Sequence, residues 1–259
     1  MSEEQLAYIE KRYDGVAYIV LNQPRKKNAM SHDMMVQLRA CIQDAEDDED
    51  VRCVILKGAD GCFCSGGDLS GMASGGSGST TVEQKRRNIA DFGKCIAEMV
   101  HGEKPYIAQV EGYAMGGGFS LALGCDMIFA GENAKMSSMF THVGLAPEMG
   151  AMLFLPQAMG AYRAKELWYS GRKVNGTEGY ELGFVSRVFP DDALEDETLA
   201  MAQHIAELPR TALGAMKRTV NGHIYSDIDA VLAADVQDSP LCMMSDESLA
   251  YLKANFMKK

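Results

Sequence analysis

Gly116-Gly117-Gly118 joins two apolar runs of different period, and that junction limits what the chain can become. Before it, Pro105-Tyr106-Ile107-Ala108-Gln109-Val110 reads as a short buried strand, partly β-branched, with proline only at its start. After it, Phe119-Ser120-Leu121-Ala122-Leu123 opens an apolar helix that ends near Gly124. Strand, glycine run and helix in that order expose backbone N–H groups at a helix N-terminus, where negative charge is favoured. Consecutive glycines also let another group approach the backbone and permit dihedrals that other residues resist. A tight packed turn leaves the same trace, so the run alone does not identify a site. No Gly-Lys-Ser/Thr follows it, which excludes a phosphate loop, and the G-x-G-x-x-G dinucleotide fingerprint does not fit.

The rest of the chain alternates in the same manner. Val16 to Leu21 and Val51 to Leu56 read as strands, with a basic loop, Pro24 to Ala29, after the first. Ser31 is placed to cap a helix bearing Met34, Met35, Leu38 and Ile42. Gly61 to Leu69 forms a second glycine-containing turn, Gly66-Gly67, leaving a short strand. Met72 to Thr81 is low in complexity and is expected to be flexible. Gln84 to Met99 is helical, Asp126 to Ala130 a strand, and Phe140 to Gly150 rich in loop. Thr177 is expected to cap a helix to Leu182, and Phe184 to Phe189 to form the last strand. Beyond Asp191 the pattern is helical only, with Pro209 and Pro240 expected as breaks. The expected architecture is an α/β core over residues 1–190 and a helical module over 191–259.

Composition narrows the partners. The net charge is −11, from 25 basic and 36 acidic residues, which disfavours nucleic acid or an anionic membrane as the main partner. No apolar run has membrane-spanning length. The acidic start, Met1 to Gln5, is expected to be neither a signal nor a transit peptide, so a cytoplasmic location is expected. The seven cysteines are scattered, and the five histidines form no ligand-like pair, so free thiols and no metal are expected. Of the 18 methionines, Met115, Met136, Met139, Met149 and Met152 cluster about the glycine turn, where a pliable apolar wall would suit an acyl chain.

Several motifs, in this order, resemble the crotonase (enoyl-CoA hydratase/isomerase) superfamily. They are Pro24 with Asn28-Ala29-Met30, Phe63-Cys64-Ser65-Gly66-Gly67-Asp68-Leu69, Gly112 to Ser120 with Cys125-Asp126, and Gly144-Leu145-Ala146-Pro147. Ser170-Gly171-Arg172, Gly183 to Val188, and Pro209 with Lys217 complete the set. The resemblance implies a crotonase-like spiral of ββα repeats with a C-terminal helical trimerisation module, assembled as a homotrimer or a hexamer. It implies an acyl-CoA thioester substrate whose carbonyl is held between two backbone N–H groups, at the positions of Ser65 and Gly117. A binding set follows from the same motifs: Lys26, Lys27, Ala29, Ser65, Gly67, Asp68, Leu69 and Gly117. CoA arrives with the substrate, and no other cofactor is implied.

The superfamily's hydratases use two glutamates, at positions where this chain has Ser120 and Phe140. Neither residue can activate water and protonate carbon well, so hydration is disfavoured. Glu148, just after Pro147, stands where the Δ3,Δ2-enoyl-CoA isomerases of this superfamily carry their catalytic glutamate. Its neighbours Leu145, Ala146, Met149, Ala151 and Met152 are apolar, and burial there should raise its pKa. The implied activity is a Δ3,Δ2-enoyl-CoA isomerase with a single glutamate base. Two other readings stay open: another reaction of the superfamily (hydratase, hydrolase, dehalogenase or decarboxylase), and a non-catalytic acyl-CoA-binding scaffold.

Overall fold

The computed structural model describes residues 4–12, 14–68 and 81–256. Strands β1 (Ala7–Lys11), β2 (Val16–Leu21), β3 (Cys53–Gly58), β4 (Tyr106–Val110), β6 (Met127–Gly131) and β8 (Arg187–Phe189) form one sheet in that order. The first pair is antiparallel and the others are parallel. Parallel strands need crossovers that cover both faces, and β2 and β4 are accordingly buried along their whole length.

A second, thinner layer runs beside this sheet. Strands β5 (Tyr113–Met115) and β7 (Lys135–Ser137) pair in parallel, and single bridges join Met30 to Gly67, Cys64 to Ala114 and Met136 to Val174. Each turn of the chain therefore adds one strand to the main sheet and one short extended piece to the second layer before a helix returns it. That is the ββα spiral. The helices over this part of the chain are α1 (His32–Asp47), α2 (Val82–His101), α3 (Gly117–Leu123), α4 (Ala151–Met159), α5 (Ala161–Ser170) and α6 (Gly176–Leu182).

Side-chain alternation splits the core between the two sheet faces. Ile19, Leu21, Val54, Leu56, Ala108 and Val110 meet α1 and α2 in one cluster. Val16, Tyr18, Cys53, Ile55, Ile107 and Phe129 form the other, closed by Leu194, Ala202 and Ile205 of α7 (Leu194–Glu207). Three more helices follow: α8 (Arg210–Ile224), α9 (Ile228–Met244) and α10 (Asp246–Phe256). Helix α9 lies along α2. Lys217 of α8 is buried and donates to Asp126 Oδ2 at 2.8 Å and to the Lys104 carbonyl at 2.7 Å, which ties this helix to the foot of β4 and β6.

Two local expectations are corrected. The cap of α6 is Asn175, whose side chain accepts from Glu178 N at 2.8 Å, and not Thr177, which lies inside the first turn. Pro240 does not break the chain but sits within α9; its ring is buried, and packing offsets the helical hydrogen bond it cannot make. Residues 72–80 of the stretch expected to be flexible lie outside the described residues, while Thr81 caps α2 by accepting from Gln84 N at 3.1 Å.

Candidate active site

The two glycine turns are neighbours in space. Cys64 N donates to Tyr113 O at 2.7 Å and Met115 N donates to Cys64 O at 3.0 Å, so the two segments run parallel in register. Three residues beyond that pairing lie Gly67 on one turn and Gly117 on the other. Gly66 holds φ +98, and a Cβ there would stand 2.7 Å from the Met115 carbonyl oxygen and 3.9 Å from Gly117 N. Only glycine permits both that dihedral and that approach. Gly116, with φ +51 and ψ −120, turns the chain into α3, and Gly117 is the first residue of that helix.

The sequence reading places the first oxyanion donor at Ser65, and the structure corrects this. Ser65 N donates to the Lys27 carbonyl at 3.0 Å, and its Oγ donates to the Lys26 carbonyl at 3.1 Å. That amide is committed to holding the 24–30 loop. Gly67 N makes no hydrogen bond among the described residues, Gly67 is exposed, and a Cβ added there would meet nothing within 4 Å. Gly117 N, first in its helix, likewise has no acceptor among the described residues. The open pair of amides is therefore Gly67 and Gly117. Counting equal offsets from the two strands would have found it; sequence alone does not reveal that Lys27 covers Ser65.

The other predicted binding residues gather on the same turn. Asn28 is buried, accepts from Gln23 N at 2.8 Å and donates to the carbonyls of Ala59 and Cys62 at 3.0 and 2.6 Å. Met30 N donates to Gly66 O at 2.8 Å and Asp68 N donates to Met30 O at 2.9 Å, so the loop bearing Lys26, Lys27 and Ala29 flanks Gly67. Lys26 Nζ pairs with Asp68 Oδ2 at 2.7 Å. Lys27 Nζ stands 4.6 Å from the centre of the Tyr113 ring. Leu69 lies outside the described residues.

Glu148 comes from the loop after β7. A 3-10 turn over Met139–Val143 and left-handed residues at Gly144, Met149 (φ +58) and Gly150 shape that loop. The sulfur of Met149 would lie 3.4 Å from a Cβ on Gly117, and the methyl of Met30 2.5 Å from it, so the residue next to Glu148 packs against Gly117. Glu148 Oε2 accepts from Ser239 Oγ at 3.0 Å. Surrounding protein atoms push the carboxyl pKa up to about 7, the Ser239 hydrogen bond pulls it down, and the neighbouring Asp235 pushes it up. Ser239 and Asp235 lie on α9, and sequence reasoning missed both.

That shift has a stability consequence. The folded state holds the proton more tightly than the unfolded chain, so its contribution is full below about pH 4.5 and is lost as pH rises through about 7. Wild type should therefore lose stability relative to Glu148→Gln between pH 5 and 8, by about 3 kcal/mol. Urea unfolding of both proteins across that range measures it; parallel curves would contradict the shift.

Ser120 and Phe140 lie beside Gly116 and supply no carboxyl there. Ser120 is buried, and its Oγ donates back to the Gly116 carbonyl at 3.3 Å. The buried Phe140 ring reaches 4.0 Å from where a Gly116 Cβ would stand. His142 Nε2 is 3.0 Å from the Ser170 carbonyl, and Arg172 is held by Glu166 and Glu178, so both serve the scaffold. A polar surface cavity of about 460 Å³ lies elsewhere, beside Tyr8, Glu10, Tyr18, Lys57, Glu111 and Glu195, and includes none of the site residues. Among the described residues, no cluster of three His, Cys, Asp or Glu side chains could hold a metal ion.

Comparison with known proteins agrees with this fold. A family model described as Enoyl-CoA hydratase/isomerase matches residues 11–248. The 1,2-epoxyphenylacetyl-CoA isomerase of Escherichia coli (strain K12) is 31% identical over 90% of this chain and 87% of its own length. The crotonyl-CoA hydratase of Syntrophomonas wolfei is 28% identical over 97% of this chain and 98% of its own. The crystal structure of an enoyl-CoA hydratase/isomerase from Pseudoalteromonas atlantica superposes with a TM-score of 0.86 at 29% identity, covering 98% of each chain. The chain belongs to the enoyl-CoA hydratase/isomerase family, within the crotonase superfamily of acyl-CoA enzymes.

Proposed function

We propose that this protein is a Δ3,Δ2-enoyl-CoA isomerase in which Glu148 is the only base. The observation that carries the proposal is a carboxyl with a pKa near 7 on the loop that packs against Gly117, at a site where Ser120 and Phe140 offer no second carboxyl. Glu148 takes a proton from C2 of a 3-enoyl thioester. The electron pair moves into the thioester, and the dienolate oxygen is held by the N–H groups of Gly67 and Gly117. Each such preorganised donor is worth roughly 3 kcal/mol of transition-state stabilisation. The same carboxyl returns the proton to C4, which leaves the double bond between C2 and C3. One group near pKa 7 serves both steps, because it is basic enough to remove a proton and acidic enough to give it back. The isomerase named among the relatives supports the reading, and the hydratase named there is the rival to be tested.

The adenine-nucleotide end of CoA is assigned to the 24–30 loop, with Lys26, Lys27 and Ala29 beside Ser65, Gly67 and Asp68. Lys27 is the more available cation, since Asp68 already partners Lys26. Assembly as a trimer or hexamer is part of the proposal. Met216, Val220 and Ile224 lie on one face of α8 and are exposed, which is the kind of surface a second subunit would cover.

The test is absorbance at the conjugated-thioester band. A 3-enoyl-CoA mixed with the protein should give a rise, and a 2-enoyl-CoA no change. A fall with the 2-enoyl substrate would mean hydration and would overturn the single-base reading.

A further inference from the structure

Helix α9 brings Asp235 and Ser239, four residues apart and so on one helix face, onto the loop that carries Glu148. Asp235 is 3% exposed. Its Oδ2 accepts from Gly150 N at 3.2 Å. Its other oxygen, Oδ1, is buried without a partner among the described residues. An asparagine carbonyl could serve that amide as well. A buried carboxylate with one bare oxygen is costly, so its retention is not explained by the fold alone. Ser239, 2% exposed, donates to Glu148 Oε2 at 3.0 Å.

We infer that Asp235 and Ser239 are positioning residues for Glu148: Asp235 pins the loop through the Gly150 amide, just after Met149's left-handed backbone, and Ser239 orients the carboxylate through Oε2. This rests on the reading of Glu148 as the base. The two act on its charge in opposite senses. Asp235 disfavours ionisation of Glu148 by repulsion, and the Ser239 hydrogen bond favours it. Asp238, on the same helix, acts on Asp235. Helix α4, packed against α9, carries no charged residue. Helix α2, also packed against α9, carries Lys85, Arg86 and Arg87 in its first turns, and α10 carries Asp246 and Glu247.

The test uses full-length protein carrying ¹³C in the glutamate carboxyls, with Glu148→Gln to assign the Glu148 signal. Asp235→Asn should lower the Glu148 midpoint by roughly half a pH unit, and Ser239→Ala should raise it by about as much. The acid limb of kcat/KM for a 3-enoyl-CoA should move the same way in each variant. Ser239→Ala should also lower kcat roughly 5-fold with KM unchanged. A Glu148 midpoint that stays put in both variants, or moves the same way in both, overturns the inference. If Asp235→Asn does not fold, Asp235→Ser, which keeps a hydroxyl oxygen to accept from the loop, takes its place. The carboxyl titration is read without substrate, so it judges the pair even if the isomerase reaction is not found.

Discussion

Glu148→Gln should lower kcat on a 3-enoyl-CoA by about 10³-fold or more while leaving acyl-CoA binding within a factor of a few. A positioned acid/base group contributes roughly 10²–10⁴-fold to such a step. In the proposed reaction one group performs both the removal and the return of the proton, and Ser120 and Phe140 offer no substitute. Glutamine matches the shape of glutamate and can still take the Ser239 hydrogen bond, so the loop and the Gly67–Gly117 pair should stay in place. The thioester carbonyl should then still bind, and the loss should fall on kcat rather than KM. Stopped-flow absorbance with wild type and variant, with calorimetric binding of a saturated acyl-CoA as control, decides it. Turnover within 10-fold of wild type would remove Glu148 from the mechanism.

Much of the frame was legible because it rests on local pattern. The period change at Gly116 predicted β4 and α3, and both are where the pattern placed them. Ser31 caps α1 by accepting from Met34 N at 3.2 Å, as a hydroxyl before an apolar-periodic run should. Glu148 could be singled out through the resemblance, by its place just after Pro147, and its apolar neighbours then gave the direction of its pKa shift. What escaped depends on distant chain. Whether Ser65 or Gly67 offers its amide turns on which carbonyl Lys27 presents, and that is fixed by the packing of a separate loop. Asp235 and Ser239 reach the Glu148 loop across 85 and 91 residues of sequence, and neither stands in a pattern that distinguishes it on a helix with many small and acidic side chains.

With Ser65 N engaged, Gly67 and Gly117 are the proposed donors, and Gly117 is the one that can be removed most cleanly. Gly117→Pro should cost roughly 10²–10³-fold in kcat, whereas Gly117→Ala should cost far less. Gly117 is the first residue of α3, where the N–H has no helical partner and proline's fixed φ suits the helix. Proline therefore deletes the donor without deleting a structural hydrogen bond. Alanine is the control for bulk: its Cβ would press on the Met30 methyl at 2.5 Å and the Met149 sulfur at 3.4 Å, both ends of flexible side chains that can move aside. The two variants add similar crowding at Cβ, and proline also replaces the amide hydrogen with its ring Cδ, so their ratio reports loss of the donor together with the space it points into. Circular dichroism and melting curves verify that both fold. Equal activities in two folded variants would mean that the developing negative charge is held elsewhere, and the site would have to be rebuilt around another pair of amides.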